Sequence, residues 1–305
     1  MMKIAVVDIG SNTIKMKIYR YENNSLNETF SKVENSKLIS YIQDGIMNNK
    51  GISLLCSVLS NFKALAEENS ADIFRCFATA SLRRAKNIDK IISTVKKNCC
   101  LNIDLISGND EASLSFSGVC NSQKNFPPIG IMVDMGGGST EVVCFENKGI
   151  VRSSSMNFGS LSLYLDFSDN GKNNVNFDDI KQHVFCTLDK TSLIKQEYKN
   201  AVLVGGTALA INKLYRHFFN DEANYEMTLD NIKKLYDILK VQTPETKALL
   251  TILVPDRVYT VTPGLSAYLG IFSLCGVEKI LVSTFGIREG YVYEKILKTT
   301  EKTTI

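Results

Sequence analysis

The chain has 305 residues, 44% of them hydrophobic, and carries 35 basic against 32 acidic side chains for a formal net charge of +3. That length suits two domains of ordinary size with packed cores, and charge spread evenly along the chain excludes a nucleic-acid arm. Eight cysteines without a CxxC spacing, beside only two histidines, exclude a zinc set and read as buried free thiols of a reducing compartment.

The first apolar run, 3–8, is a strand that reaches Asp8 too early for a secretory h-region, and no later run approaches membrane-spanning length. The expectation is therefore a cytoplasmic protein without a membrane partner. A second strand follows over 14–20, and apolar residues Leu55, Val58, Leu59, Phe62 and Leu65 at helical spacing predict a helix over 52–68. A strand over 74–78, a helix over 89–98 and a strand over 103–106 continue the rhythm. SGNDEASLSFSGV then opens another helix, with Asn109 as its expected N-cap and two acids in the first turn. The polar segment NSQKNFPPIG, with Pro127 and Pro128 adjacent, predicts a boundary between domains 1–125 and 126–305.

The second half restarts with strands over 129–134, 141–145 and 151–155. A strand over 201–204 runs into GGTALAINKL, a glycine turn opening a helix, and helices follow over 229–240 and 247–253. A strand over 279–282 leads to FGIREGYVYEKIL, the last helix, free to pack back on the first domain.

One feature occurs twice. AVVDIGSNTIKMKIY around Asp8 and IMVDMGGGSTEVVCF around Asp134 each carry an apolar run ending on Asp, a glycine turn and an alternating segment. Their spacing is about one domain length, which predicts two similar domains, each lending a loop to a shared cleft. A single such turn is no more than a hairpin. Two copies with the Asp in register, plus the GGT turn at Gly205, Gly206 and Thr207, point to phosphate binding. Glycine turns let backbone N–H groups converge on phosphate oxygens, hydroxyls add donors, and a carboxylate at the strand end suits Mg2+.

DIGSNT, ATASLRRAKN, SGNDEA, VDMGGGSTE, VGGTALAI, PGL at Pro263 and FGIREG stand in the order found in the exopolyphosphatase and guanosine pentaphosphate phosphohydrolase family, which the chain resembles over almost its whole length. The resemblance implies the actin, Hsp70 and sugar kinase fold: an α/β protein of two similar, ribonuclease H-like domains, each a mixed sheet flanked by helices, with the active site in the cleft between them. It implies Glu111 as the general base that activates water and Arg83 as a phosphate-contacting cation. Asp8, Asp134 and Glu141 become the Mg2+ residues. Gly10, Ser11, Asn12, Thr13, Gly136, Gly137, Gly138, Ser139, Thr140, Gly205, Gly206 and Thr207 become the phosphate donors. Read without the resemblance, Glu111 is an ordinary first-turn acid, Arg83 a solvated surface residue like Arg84, and Glu141 equally a structural acid. Arg288 and Glu289 match a family signature, although a charged helix start pairing internally explains them as well.

The chain departs from the family where Ser113, Ser162 and Thr284 replace common arginines and an aspartate. Fewer cations weaken the grip on a polyanion, with Lys15, Lys17 and Lys86 as candidate substitutes. The leading expectation is a Mg2+-dependent exopolyphosphatase that cleaves the terminal phosphate of inorganic polyphosphate. Its competitor is a guanosine pentaphosphate 5′-phosphohydrolase on the same core, with a base pocket at GGTALA. A non-catalytic sensor of polyphosphate or guanosine tetraphosphate is a third reading, and a sugar or acetate-type kinase a fourth. The family resemblance further implies a homodimer.

Overall fold

The computed structural model describes residues 1–10, 12–79, 82, 85–122, 126–169, 172–220 and 225–299. Two compact units emerge, Met1–Glu111 with Tyr291–Ile305, and Ala112–Gly290. The division falls at Glu111 and Ala112, inside the helix Gly108–Ser122, rather than in the Pro127–Pro128 segment. Packing explains the position. From Ala112 onward the apolar face of this helix, with Phe116 and Val119, buries itself against Met132, Val143, Phe145, Val202 and Val204 of the second sheet.

The first unit is built on β1 (Met2–Ile9), β2 (Ile14–Glu22) and β3 (Ser25–Glu34), joined as antiparallel neighbours, with β4 (Ile42–Gln43) and β5 (Ile46–Met47) as a small hairpin. β1 is buried at Ile4, Ala5, Val6, Val7 and Ile9, as a central strand covered on both faces must be. β2 alternates, with Ile14, Met16 and Ile18 buried and Lys15 and Lys17 turned outward. Helix α1 (Asn49–Glu68) starts where the Asn48 side chain accepts the Gly51 N–H at 3.0 Å. It buries Ile52, Leu55, Leu59 and Phe62 in one core with α2 (Ile88–Cys99) and the sheet. β6 (Ile73–Ala78) and β7 (Ile103–Leu105) complete the order β3-β2-β1-β6-β7, the last two parallel to β1.

After α3 (Gly108–Ser122), the second unit repeats the plan. β8 (Ile129–Met135), β9 (Thr140–Glu146) and β10 (Gly149–Met156) form the antiparallel part. Helix α4 (Ser160–Phe167), the small hairpin β11 (Ser168–Asp169) and β12 (Lys172–Val175), and helix α5 (Phe177–Asp189) precede β13 (Asn200–Val204). Then come α6 (Gly206–Phe219), β14 (Glu226–Thr228), α7 (Leu229–Leu239), α8 (Pro244–Leu253), α9 (Val261–Cys275) and β15 (Lys279–Val282). The sheet order is β10-β9-β8-β13-β15-β14, with β13 parallel to both β8 and β15. Each unit is thus a mixed sheet with helices, three antiparallel strands followed by two parallel ones, and the second sheet adds β14 antiparallel to β15 at its edge.

Helix α9 is the second unit's central post, buried on nearly every side. Its glycines set how closely its neighbours approach: a Cβ at Gly270 would meet the Lys181 carbonyl oxygen at 2.5 Å, and one at Gly264 the Thr207 methyl at 2.4 Å. The chain ends in α10 (Ile287–Tyr291) and a π-helical turn, Val292–Leu297. From Tyr291 onward it belongs to the first unit, where the Tyr291 ring packs on Phe77 at 4.8 Å and its hydroxyl donates to Asp104. All eight cysteines are free thiols, five of them buried. Among the described residues no helix is long and apolar enough to cross a membrane.

Candidate functional site

The doubled motif folds as two hairpins of the same construction. β1 and β2 place Asp8 opposite Lys15 and Ile9 opposite Ile14; β8 and β9 place Asp134 opposite Glu141 and Met135 opposite Thr140. Each loop closes on its first glycine, Gly10 N–H donating to the Thr13 carbonyl at 3.1 Å and Gly136 N–H to the Ser139 carbonyl at 3.0 Å. In the first loop the Asn12 carbonyl also accepts from the Lys37 N–H at 2.8 Å. A trans peptide points its N–H opposite to its C=O, so the Thr13 N–H is directed away from Lys37.

The second loop rests on the start of α4. The Gly136 carbonyl accepts from the Ser160 N–H at 3.0 Å, and the Gly137 carbonyl from those of Leu161 at 3.0 Å and Ser162 at 2.9 Å. These bonds satisfy the donors that open any helix. By the same peptide geometry they turn the N–H groups of Gly137 and Gly138 to the far side of the loop. Among the described residues a Cβ at Gly138 would meet nothing within 4 Å, whereas one at Gly159 would meet three backbone atoms of the loop at 2.5–2.6 Å. The result is a rigidly held turn presenting amides outward, the form of an anion-binding nest.

Around Asp134 the second unit gathers residues from distant parts of the sequence. Ser115 of α3 donates to its carboxylate at 2.5 Å. Gly205, at φ 94°, brings the turn after β13 so close that a Cβ would meet the Asp134 Oδ1 at 3.1 Å, and Gly286 lies on the carboxylate's other side. Gly205 caps α6 without a side-chain bond, which leaves its first-turn N–H groups suited to an anion. The Arg257 guanidinium lies against this helix start, 2.5 Å from where a Gly206 Cβ would be. Burial draws the Arg257 pKa below its ordinary value, with Asp256 opposing. Burial, then Asp134, pushes the wholly buried Tyr268 far above its ordinary value, with Arg257 opposing.

Glu141 is 2% exposed and accepts from the Ser155 hydroxyl at 2.8 Å. Two carboxylates facing each other across adjacent strands are destabilising unless a cation lies near, and Asp134 with Glu141 is such a pair. Among the described residues no cluster of three or more His, Cys, Asp or Glu side chains is built to hold a metal. A pair of carboxylates still fits Mg2+, which keeps several waters and completes its shell with substrate phosphate.

Glu111 lies in the first turn of α3 and is 9% exposed. The N-cap is Ser107 and not Asn109: its hydroxyl accepts the Asp110 N–H at 3.1 Å and donates to the Asp110 carboxylate at 2.7 Å. This local exchange suits a short hydroxyl at the cap and an acid three residues on, and it commits Asp110, so Glu111 is the carboxylate outside the cap. Glu111 and Ser115 stand one turn apart on the same face of α3. Two of the expected phosphate donors serve the fold instead. Thr140 and Thr207 are wholly buried, and their single hydroxyl protons go to the Phe158 carbonyl at 2.7 Å and the Ser160 hydroxyl at 3.1 Å. Ser11, Arg83 and Arg84 lie outside the described residues.

The family model described as the Ppx/GppA phosphatase family matches residues 18–299. The chain belongs to this family. A Haemophilus influenzae protein that carries the name exopolyphosphatase is 25% identical over 297 residues, covering 95% of this chain and 90% of its own length. A Vibrio cholerae guanosine-5′-triphosphate,3′-diphosphate pyrophosphatase is 26% identical over 300 residues, and this chain spans only 59% of its length. Among solved structures, the Aquifex aeolicus Ppx/GppA family member superposes with a TM-score of 0.84 at 24% identity, covering 98% of each chain. An exopolyphosphatase from Cytophaga hutchinsonii gives 0.82 at 19% identity over 96% of this chain and 97% of its own. At those identities the structures speak for the fold.

As a Ppx/GppA phosphatase the protein differs from the sequence expectation in how some signature residues are used. Ser162 closes the start of α4, accepting the Gly159 N–H at 2.9 Å, and Ser113 is exposed on α3. Glu289 is wholly buried and accepts the Gly286 N–H at 2.8 Å, which fixes the turn beside Asp134. The sequence reading missed Ser115, Gly159 and Arg257. Arg257 stands six residues before Pro263 in VPDRVYTVTPGL, and a cation so near the PGL motif was the available signal.

Proposed function

We propose that this phosphatase is an exopolyphosphatase that hydrolyses the terminal phosphate of inorganic polyphosphate. The observation that carries the choice is the second hairpin: outward amides on a braced turn beside a facing pair of carboxylates, a surface suited to phosphate and its counter-ion.

In this reading the N–H groups of Gly137 and Gly138 bind phosphate oxygens, and the start of α6 with Arg257 binds others. Glu111 takes a proton from the attacking water, whose oxygen bonds in line to the terminal phosphorus as the bridging P–O bond breaks and the shortened chain leaves with that oxygen. Asp134 and Glu141, with Asp8 of the first hairpin, are the candidate Mg2+ residues. Bound there, the ion would neutralise phosphate charge. Asn12 and Thr13 supply donors from the first loop, and Arg83 adds a cation to the developing charge.

The two relatives, nearly equal in identity, keep guanosine pentaphosphate as the competing substrate. Phosphate release from polyphosphate and from guanosine pentaphosphate, each by wild type and Glu111→Gln, separates the readings. Faster release from polyphosphate that collapses in the variant is expected. Preference for the nucleotide would transfer the function to the competitor, binding without any release would make the protein a sensor, and equal release by both proteins would remove Glu111 from the mechanism.

A further inference from the structure

Away from the phosphate loops, the second unit holds an open cavity of about 450 Å³, lined by Arg152, Ser153, Ser154, Thr191, Ser192, Leu193 and Lys195. One wall is β10, the edge strand of its sheet, and the other is the turn after α5. The turn is pinned: Thr191 donates its hydroxyl to the Leu188 carbonyl at 2.6 Å and accepts the Leu193 N–H at 3.2 Å, and Ser192 sits at φ 51°. Among the described residues neither Arg152 nor Lys195 forms an ion pair, and the hydroxyls of Ser153, Ser154 and Ser192 have no protein partner.

The lining is therefore two cations and three available hydroxyls, with no carboxylate and no aromatic ring. Ordinary organic ligands call for extended apolar and aromatic walls, whereas Leu193 is the single apolar side chain among these lining residues. A ligand made only of negative oxygens, with many acceptors and no base to stack, matches it. The β10 wall also continues into Ser155, which donates to Glu141 of the adjacent strand β9.

We propose that this cavity is an accessory binding site for inorganic polyphosphate, engaging a stretch of chain separate from the end held at the phosphate loops. The proposal rests on the exopolyphosphatase reading for its substrate. It replaces part of the grip that the missing arginines remove, by moving cations from the catalytic motifs to a neighbouring strand edge.

The test uses the full chain with Arg152→Gln and Lys195→Gln combined, and Lys247→Gln as a control for loss of an exposed positive charge elsewhere. Thermal melting establishes that each variant folds. The ratio of kcat/KM for long-chain polyphosphate to that for tripolyphosphate is expected to fall about fivefold in the double variant, the scale of two solvent-facing charge contacts, and to stay at the wild-type value in the control. An equal fall for both substrates, or no fall, overturns the proposal. Binding of fluorescently labelled long-chain polyphosphate in EDTA gives a readout independent of turnover: the double variant should bind about fivefold more weakly. Equal binding overturns the accessory site even where catalysis holds. If wild type releases no phosphate from polyphosphate, the exopolyphosphatase reading fails, and the binding arm alone decides the cavity. Displacement of the Arg152- and Lys195-dependent binding by orthophosphate at the same phosphorus concentration would overturn chain binding in favour of a product-phosphate site.

Discussion

The two hairpins share a backbone and differ in what faces the aspartate. Across the strands Asp8 meets Lys15, whereas Asp134 meets Glu141. Their supports differ as well: among the described residues the Lys37 amide anchors the first loop's Asn12 carbonyl, while three amides of α4 brace the second. Repetition of a loop therefore does not imply repetition of its electrostatics. An aspartate facing a lysine is already compensated, and its neighbourhood is suited to phosphate oxygens. An aspartate facing a buried glutamate brings two carboxylates to one place, the donor set that suits a divalent cation.

The strongest way to break this contrast is to neutralise each aspartate in turn. Asp134→Asn is expected to lower kcat/KM for phosphate release by about a thousandfold, the scale of losing one well-placed electrostatic group, and to raise the Mg2+ concentration needed for half-maximal rate. Asp8→Asn should lower the rate and raise that Mg2+ requirement by less, because Lys15 stands opposite Asp8. An equal shift of the Mg2+ midpoint in both variants would show that Lys15 does not distinguish the two aspartates.

The supports can be tested through glycine. Gly159→Ala drives a Cβ into three backbone atoms of the second loop, none of which can swing aside as a side chain would, and should cost about 2–4 kcal/mol. Gly138→Ala places its Cβ in open space and should leave stability within about 0.5 kcal/mol, while weakening phosphate affinity by crowding the approach to the amides. Urea midpoints, with phosphate or pyrophosphate titrated separately, measure both. A Gly159→Ala protein as stable as wild type would mean that α4 does not brace the loop.

Much of this architecture is legible in the sequence because it is local. The aspartates, the glycine turns and the alternation of β2 are all written within about fifteen residues, and the repeat announces the second unit's plan. β3 escapes notice because only Leu26 of its ten residues is buried, and an edge strand without an apolar face carries no period-two signal. Helix α9 escapes for the opposite reason. It is apolar all round and interrupted by Pro263, Gly264 and Gly270, so neither a stripe nor a helix-forming run marks it. The surroundings of Asp134 are harder still: Ser115, Gly205, Arg257 and Gly286 arrive from four separate segments, and only the packing of α3, α6 and the turn before α10 brings them together. A polar stretch with adjacent prolines is the boundary signal a sequence can carry, whereas the division by contacts follows the buried face of α3, which is set by packing on the second sheet.

The mildest test rewrites one hairpin as the other. Lys15→Glu would set two carboxylates opposite each other across β1 and β2, as β8 and β9 already do. Like charges in direct cross-strand register cost about 0.2–1 kcal/mol, so the variant should melt at a lower temperature in EDTA. Because Lys15 is only half-buried, salt should recover part of the loss. Mg2+ should recover more than an equal ionic strength of Na+, since a divalent ion can sit between the carboxylates where a diffuse atmosphere cannot. Glu141→Gln should behave in the opposite sense: it keeps an oxygen to accept from Ser155, removes one buried charge, raises the melting temperature in EDTA, and shrinks the stabilisation by Mg2+. If Lys15→Glu gains no Mg2+-dependent stability and Glu141→Gln loses none, the facing carboxylate does not recruit the ion, and the contrast between the hairpins must lie in the loops alone.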